Sequence, residues 1–120
     1  MTNFRSYAKG FMSYHYEKSF GRRIEVVDKQ VNDLKKEKKQ ATNKMEGMEK
    51  RIVNLNKKIA KETDESKIEL HKAEIQANEA GIVVQTNAIL ALQEQIDALI
   101  TDMDVIKGEL HKFQANIAEL

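Results

Sequence analysis

Cysteine is absent from these 120 residues, which excludes a disulfide framework and any thiolate metal site. Proline is absent as well, so no residue of the chain carries the built-in helix breaker. Tryptophan is missing, aromatic residues make up only 6%, and glycine occurs five times, a poor inventory for a large globular core or a loop-rich fold. No stretch of 18 apolar residues occurs, and the opening MTNFRSYAKGFMSYHYEKSF has no uninterrupted apolar core. Neither a membrane-spanning helix nor a secretory signal is therefore expected, and a soluble protein of the cytoplasm or of a virion is.

Charge is plentiful at 32%, and its balance of +1 conceals an asymmetry. Residues 22–61 carry 13 Lys or Arg against 6 acids, a net +7, whereas residues 62–120 carry 4 against 12, a net −8. Residues 1–21 add 3 against 1. Two oppositely charged halves attract one another when they lie side by side.

From Ser66 onward a large aliphatic residue returns every seven positions: Ile68, Ile75, Ile82, Ile89, Ile96, Met103, Leu110 and Ile117. A second column, offset by three, holds Leu92, Leu99, Ile106, Phe113 and Leu120. This is an a/d heptad seam, the pattern of helices wound on helices. An earlier seam runs through Ile24, Val27, Val31, Leu34, Lys38, Ala41, Met45, Met48, Ile52, Leu55 and Ile59, with Lys, Glu, Asn and Gln over most of the remaining surface. Lys38 is its one charged member, a position that more often fixes register or oligomer state than performs chemistry.

Between the two seams, residues 61–67 lack any large apolar side chain, and the second seam restarts out of phase with the first. Ser66 and Glu69 have the spacing of a capping box. Residues 62–66 are read as a turn between a basic helix, 22–61, and an acidic helix, 67–120, with a continuous phase-slipped rod as the alternative. The charge halves favour the hairpin. With the turn centred near Asp64, Gly47 is expected opposite Gly81, Gly21 near Gly108, Leu55 and Met48 opposite Ala73 and Ala80, and the aromatic N-terminus against Leu110, Phe113 and Ile117. The fold class is all-α: a long antiparallel helical hairpin that self-associates into a helical bundle.

Helix 2 has more apolar surface than one partner covers. Leu70, Ala77, Val84, Ala91, Ala98 and Val105 recur at position c with Ala73 and Ala80 beside them, away from the isoleucine column. The expected arrangement pairs copies of helix 2 along Ile68, Ile75, Ile82, Ile89, Leu92, Ile96, Leu99, Met103, Ile106, Leu110, Phe113 and Ile117, with helix 1 lying on the Ala-rich face. Ile at a with Leu at d favours two strands, whereas the early d residues His71, Asn78 and Gln85 resemble the polar layers of trimeric stalks in viral and bacterial fibres. Dimer and trimer both stay open.

Residues 1–21 hold six of the seven aromatic residues. Phe4, Tyr7, Phe11 and Tyr14 fall three or four apart and form a stripe on one helix face, with Tyr16 and Phe20 following. The segment is read as an anchor that packs on its neighbour or docks a protein partner. Arg5, Lys9 and Lys18 beside the stripe also suit a membrane surface.

Motifs for chemistry are missing. None of His15, His71 and His111 has a Glu three residues before it, and no H-E-x-x-H, P-loop, GxGxxG or EF-hand spacing occurs. No catalytic residue, metal, cofactor or small-molecule substrate is therefore expected. His71 at d reads as a polar core layer whose protonation would loosen the assembly near pH 6. Arg22, Arg23, Lys35, Lys36, Lys38 and Lys39 are candidate phosphate contacts on a basic back, although acidic helix 2 opposes that field. The leading expectation is a non-enzymatic strut, adaptor or scaffold, and its pattern is similar to that of small coiled-coil virion components of bacteriophages. Nucleic-acid binding through helix 1 and membrane binding through residues 4–20 are the alternatives.

Overall fold

The computed structural model describes residues 3–119, with side chains from Ala8 onward. Two helices account for nearly all of it: α1, Asn3–Lys61, and α2, Glu65–Ala118. They form an all-α hairpin. Helix α1 passes through Gly10 and Gly21 without a break, and among the described residues no glycine has a positive φ. The alternative of one continuous rod is excluded, because the helix breaks between Lys61 and Glu65 and α2 returns along α1.

The turn is shorter than expected, residues 62–64, and is made without glycine. Glu62 N–H donates to the Ile59 carbonyl at 3.2 Å and closes the last turn of α1. The Glu62 carboxylate then folds back, and its Oε1 accepts from the amides of Thr63 and Asp64, both at 3.1 Å. Asp64 rather than Ser66 is the N-cap of α2: its Oδ1 accepts from Ser66 N–H at 2.9 Å, and its carbonyl accepts from Ile68 N–H at 3.1 Å. Lys58 and Lys61 end α1, and Glu65 begins α2, each with the charge that suits its end of the helix dipole.

The chain divides into two compact units, one containing Lys35–Glu94 and the other the rest. Each is an antiparallel helix pair. In the Lys35–Glu94 unit Lys38 reaches Gln93, Thr86 Oγ1 lies 3.6 Å from Met45 Sδ, and Met48 lies against Gly81. Ala41 and Leu55 are buried there. In the other unit the Tyr16 ring lies 4.2 Å from Phe113, Phe20 lies 6.5 Å from the same ring, and Gln114 Nε2 donates to Glu17 at 3.0 Å. Its core is Val31, Ile96, Ile106 and Ile117, of which Ile96 is only 2% exposed.

Every first-seam residue from Ile24 to Ile59 is buried or half-buried, as the spacing predicts. The glycine expectations fare differently. Met48, not Gly47, meets Gly81, and neither Gly21 nor Gly108 has a heavy atom within 4 Å of where a Cβ would stand. Ala73 and Ala80 are exposed and so do not face Leu55 and Met48. The aromatic N-terminal turns do pack on Phe113.

Candidate interaction surfaces

The face that α1 covers is the isoleucine column. Ile68, Ile75, Ile82, Ile89, Leu92, Leu99, Met103, Leu110 and Phe113 are half-buried, and Ile96, Ile106 and Ile117 are buried. Within one chain, the residues expected to pair with another copy thus pack against α1. The Ala-rich face expected to receive α1 is the open one. Within the single chain this reverses the expected position of α1, and the cause is area: an Ile/Leu face offers far more apolar surface per turn than an alanine face, so the tethered partner takes it first.

On the open side of α2 within the Lys35–Glu94 unit, Leu70 is 60% exposed, Val83 59%, Val84 62% and Leu90 59%, with Ala73, Ala77, Ala80 and Ala91 exposed among them. Ile100 and Val105 are exposed large apolar residues of the other unit. Among the described residues α1 has no comparable outer aliphatic band; its exposed large aliphatics Val26 and Val53 stand among charged residues.

The expected docking residues separate into two groups. Tyr16 and Phe20 lie against Phe113 with tilted rings, Tyr16 remaining 47% exposed. Phe11 and Tyr14 point outward, 54% and 62% exposed, with the His15 ring 4.3 Å from Phe11 and 5.7 Å from Tyr14. Lys18 Nζ stands 5.6 Å over the Tyr14 ring. Tyr14, His15, Lys18, Ser19, Arg22 and Arg23 line an open cleft that has cations and aromatic faces but no carboxylate in its lining. The side chains of Phe4 and Tyr7 lie outside the described residues.

The candidate phosphate contacts do not share one environment. Arg22, Lys35, Lys36 and Lys39 are exposed along α1. Arg23 pairs with Glu109 at 3.4 Å and lies 5.3 Å over the Phe20 ring. Lys38 turns into the seam and donates to Gln93 Oε1.

His71 is half-buried at its d position, and its Nδ1 has no hydrogen-bond partner; Glu74 Oε1 stands 4.0 Å away, within reach of an ion pair when the ring is protonated. Asn78 satisfies itself by donating to the Glu74 carbonyl at 2.8 Å. Glu62 has a carboxyl held below its ordinary value of 4.5, first by the Asp64 amide, then by the Thr63 amide, with smaller help from Lys67 and His71 against a small desolvation. Among the described residues no group of three or more His, Asp or Glu side chains is placed to hold a metal ion, and no helix is long and apolar enough to cross a membrane. No protein-family model, no curated protein and no solved structure matches the chain.

Proposed function

We propose that this is a non-enzymatic assembly protein, a helical hairpin that self-associates through α2 and docks a partner with its N-terminal aromatic segment, as a strut, adaptor or scaffold of a virion or a cellular assembly. The observation that carries the reading is the second apolar face of α2. One face is covered by α1, and the other leaves four large aliphatic side chains about three-fifths exposed in a single unit. Covering what remains exposed of each gives roughly 1 kcal/mol or somewhat more, enough in sum to make association concentration-dependent.

The test is mass in solution. Light scattering over a concentration series should show multiples of the 13.8 kDa chain that dissociate on dilution. Val84→Glu should hold the chain at monomer mass with its helicity intact. A wild-type chain that stays monomeric at every concentration overturns the reading.

The carboxylate-free cleft around Tyr14 and Lys18 supports an acidic partner for the N-terminal segment. A Phe11→Ser, Tyr14→Ser chain should lose that partner and keep its oligomeric mass. The exposed Arg22, Lys35, Lys36 and Lys39 favour a second reading, non-specific nucleic-acid contact through α1. That binding should survive the double aromatic substitution and weaken steeply with salt. Loss of binding to anionic vesicles in the double variant would instead point to a membrane surface.

A further inference from the structure

We infer that the occupant of the open α2 face is a second copy of the same face, packed antiparallel about a two-fold axis that passes between Ala77 and Ala80. The inference rests on the proposed self-association and adds its geometry. Leu70, Ala73, Ala77, Ala80, Val84 and Ala91 are all exposed, and their spacing is three and four, with Asn87 filling the remaining step. This is a heptad seam in its own right, on the side of α2 opposite the covered isoleucines. Its alanines allow close approach of a helix, and Val83 and Leu90 flank it on one side.

The partner must bring an apolar stripe of the same period. Among the described residues of this unit α1 has none to give, because its large apolar residues other than the isolated Val53 lie on the inner seam and its back carries Lys35, Lys36, Lys39, Lys44, Lys50 and Arg51. The outer face of α2 is complementary to itself, which is the requirement of an isologous pair.

Charge and volume select the direction. In a parallel pair Leu70 meets Leu70 and Val84 meets Val84, with successive Ala–Ala layers between them, so the helix separation the layers demand is uneven. The flanks would also bring Glu69 against Glu74 on both sides, and Glu94 would meet its own copy at a core position. Glu69 already leans on Lys72 within its own helix at 3.7 Å and is mostly exposed, so the parallel pair has no spare cation there. Antiparallel packing sets Val84 over Ala73, Leu70 over Asn87 and Ala77 over Ala80. Every layer then holds at most one large residue, and the glutamates of the flank meet Val83 and Ala88 instead of each other.

The absence of cysteine makes the test clean, since any introduced thiol is unique. Full-length Leu70→Cys chains and differently tagged Asn87→Cys chains are mixed, oxidised mildly and run without reductant, with circular dichroism confirming retained helicity. The mixed Leu70→Cys and Asn87→Cys disulfide should form at least about tenfold faster than a disulfide through a Lys36→Cys control on the back of α1, as the raised local concentration of juxtaposed thiols requires. Leu70→Cys alone should not cross-link above that control. Strong self-linking of Leu70→Cys with no mixed product overturns the antiparallel inference and leaves self-association standing. No enhanced cross-link from a chain of oligomeric mass also overturns it, by placing the interface elsewhere. A chain that is monomeric by light scattering overturns both the inference and the reading beneath it.

Discussion

Two glycines of the same turn-proximal unit should respond oppositely to alanine, and the reason is one sulfur atom. Gly47 and Gly81 both sit inside helices with ordinary negative φ, so alanine relieves each of the helix penalty of glycine, roughly 1 kcal/mol. At Gly47 an added Cβ meets nothing within 4 Å. Gly47→Ala should therefore stabilise by about that full amount, some 3–5 °C in melting temperature for a chain of this size. At Gly81 the added Cβ would stand 2.7 Å from Met48 Sδ and 2.9 Å from Met48 Cε, well inside ordinary contact. Only the far end of a flexible side chain has to move, so the cost is that of a distorted or exchanged methionine rotamer, about 0.5–1.5 kcal/mol. Gly81→Ala should then come out near zero. In a Met48→Ala background the same change should recover its full gain, a coupling of about 1 kcal/mol in a double-mutant cycle. Urea and thermal melts followed at the helical ellipticity, all at one protein concentration, measure the four chains. If Gly81→Ala stabilises as much as Gly47→Ala, Met48 does not lie over Gly81 and the hairpin register is wrong.

Ile96→Ala removes the most deeply buried side chain of its unit and should cost about 2 kcal/mol, the low end for such truncations because a two-helix interface can settle into the gap, whereas Ile100→Ala, at an exposed position of the same helix, should cost under about 1 kcal/mol; equal losses in urea melts would contradict the assignment of the covered face. Glu62→Gln tests the turn. The carboxyl of Glu62 is held below its ordinary value of 4.5 in the folded chain, so its contribution is present above that pH and is lost as pH falls through the folded value. The variant should be less stable than wild type at pH 7, and the gap should close below the ordinary carboxylate range; a gap of the same size at pH 3 and pH 7 would show that the ionised carboxylate does not hold the turn.

Much of this architecture is legible in the residues. The two 3–4 seams, the single charged seam position at Lys38, the unpatterned stretch near Asp64 and the packing of the N-terminal aromatics on Phe113 all follow from spacing. The position of the turn is harder, because both Asp64 and Ser66 are good N-caps and the spacing favours Ser66 through Glu69. What decides for Asp64 is the Glu62 carboxylate, which ties the amides of Thr63 and Asp64 and leaves room for only three residues between the helices. Such a contact depends on backbone direction and leaves no periodic trace. The assignment of α2's two faces is not legible either, since both repeat every seven residues and period alone says nothing about which partner arrives first. A helix tethered through a three-residue turn is present at high effective concentration, so α1 takes the Ile/Leu face and leaves the weaker one open.

The polar d positions give that weaker face its weight. His71, Asn78 and Gln85 all turn toward α1 in the Lys35–Glu94 unit, where the opposing seam is softened by Met45 and Met48. Methionines adapt to such layers, yet the packing stays loose: every buried residue of α2 belongs to the other unit, at Ile96, Ile106 and Ile117, whereas none of its seam residues before Ile96 is fully buried. His71 even leaves Nδ1 without a hydrogen bond. The same stretch of α2 is the one whose outer face carries Leu70, Val83, Val84 and Leu90. One helix thus carries a seam thinned by polar residues on one side and an exposed apolar band on the other. If the proposed second copy packs on that band, stability in this unit should rise with protein concentration more than it does around Ile96, as amide hydrogen exchange at two concentrations would read.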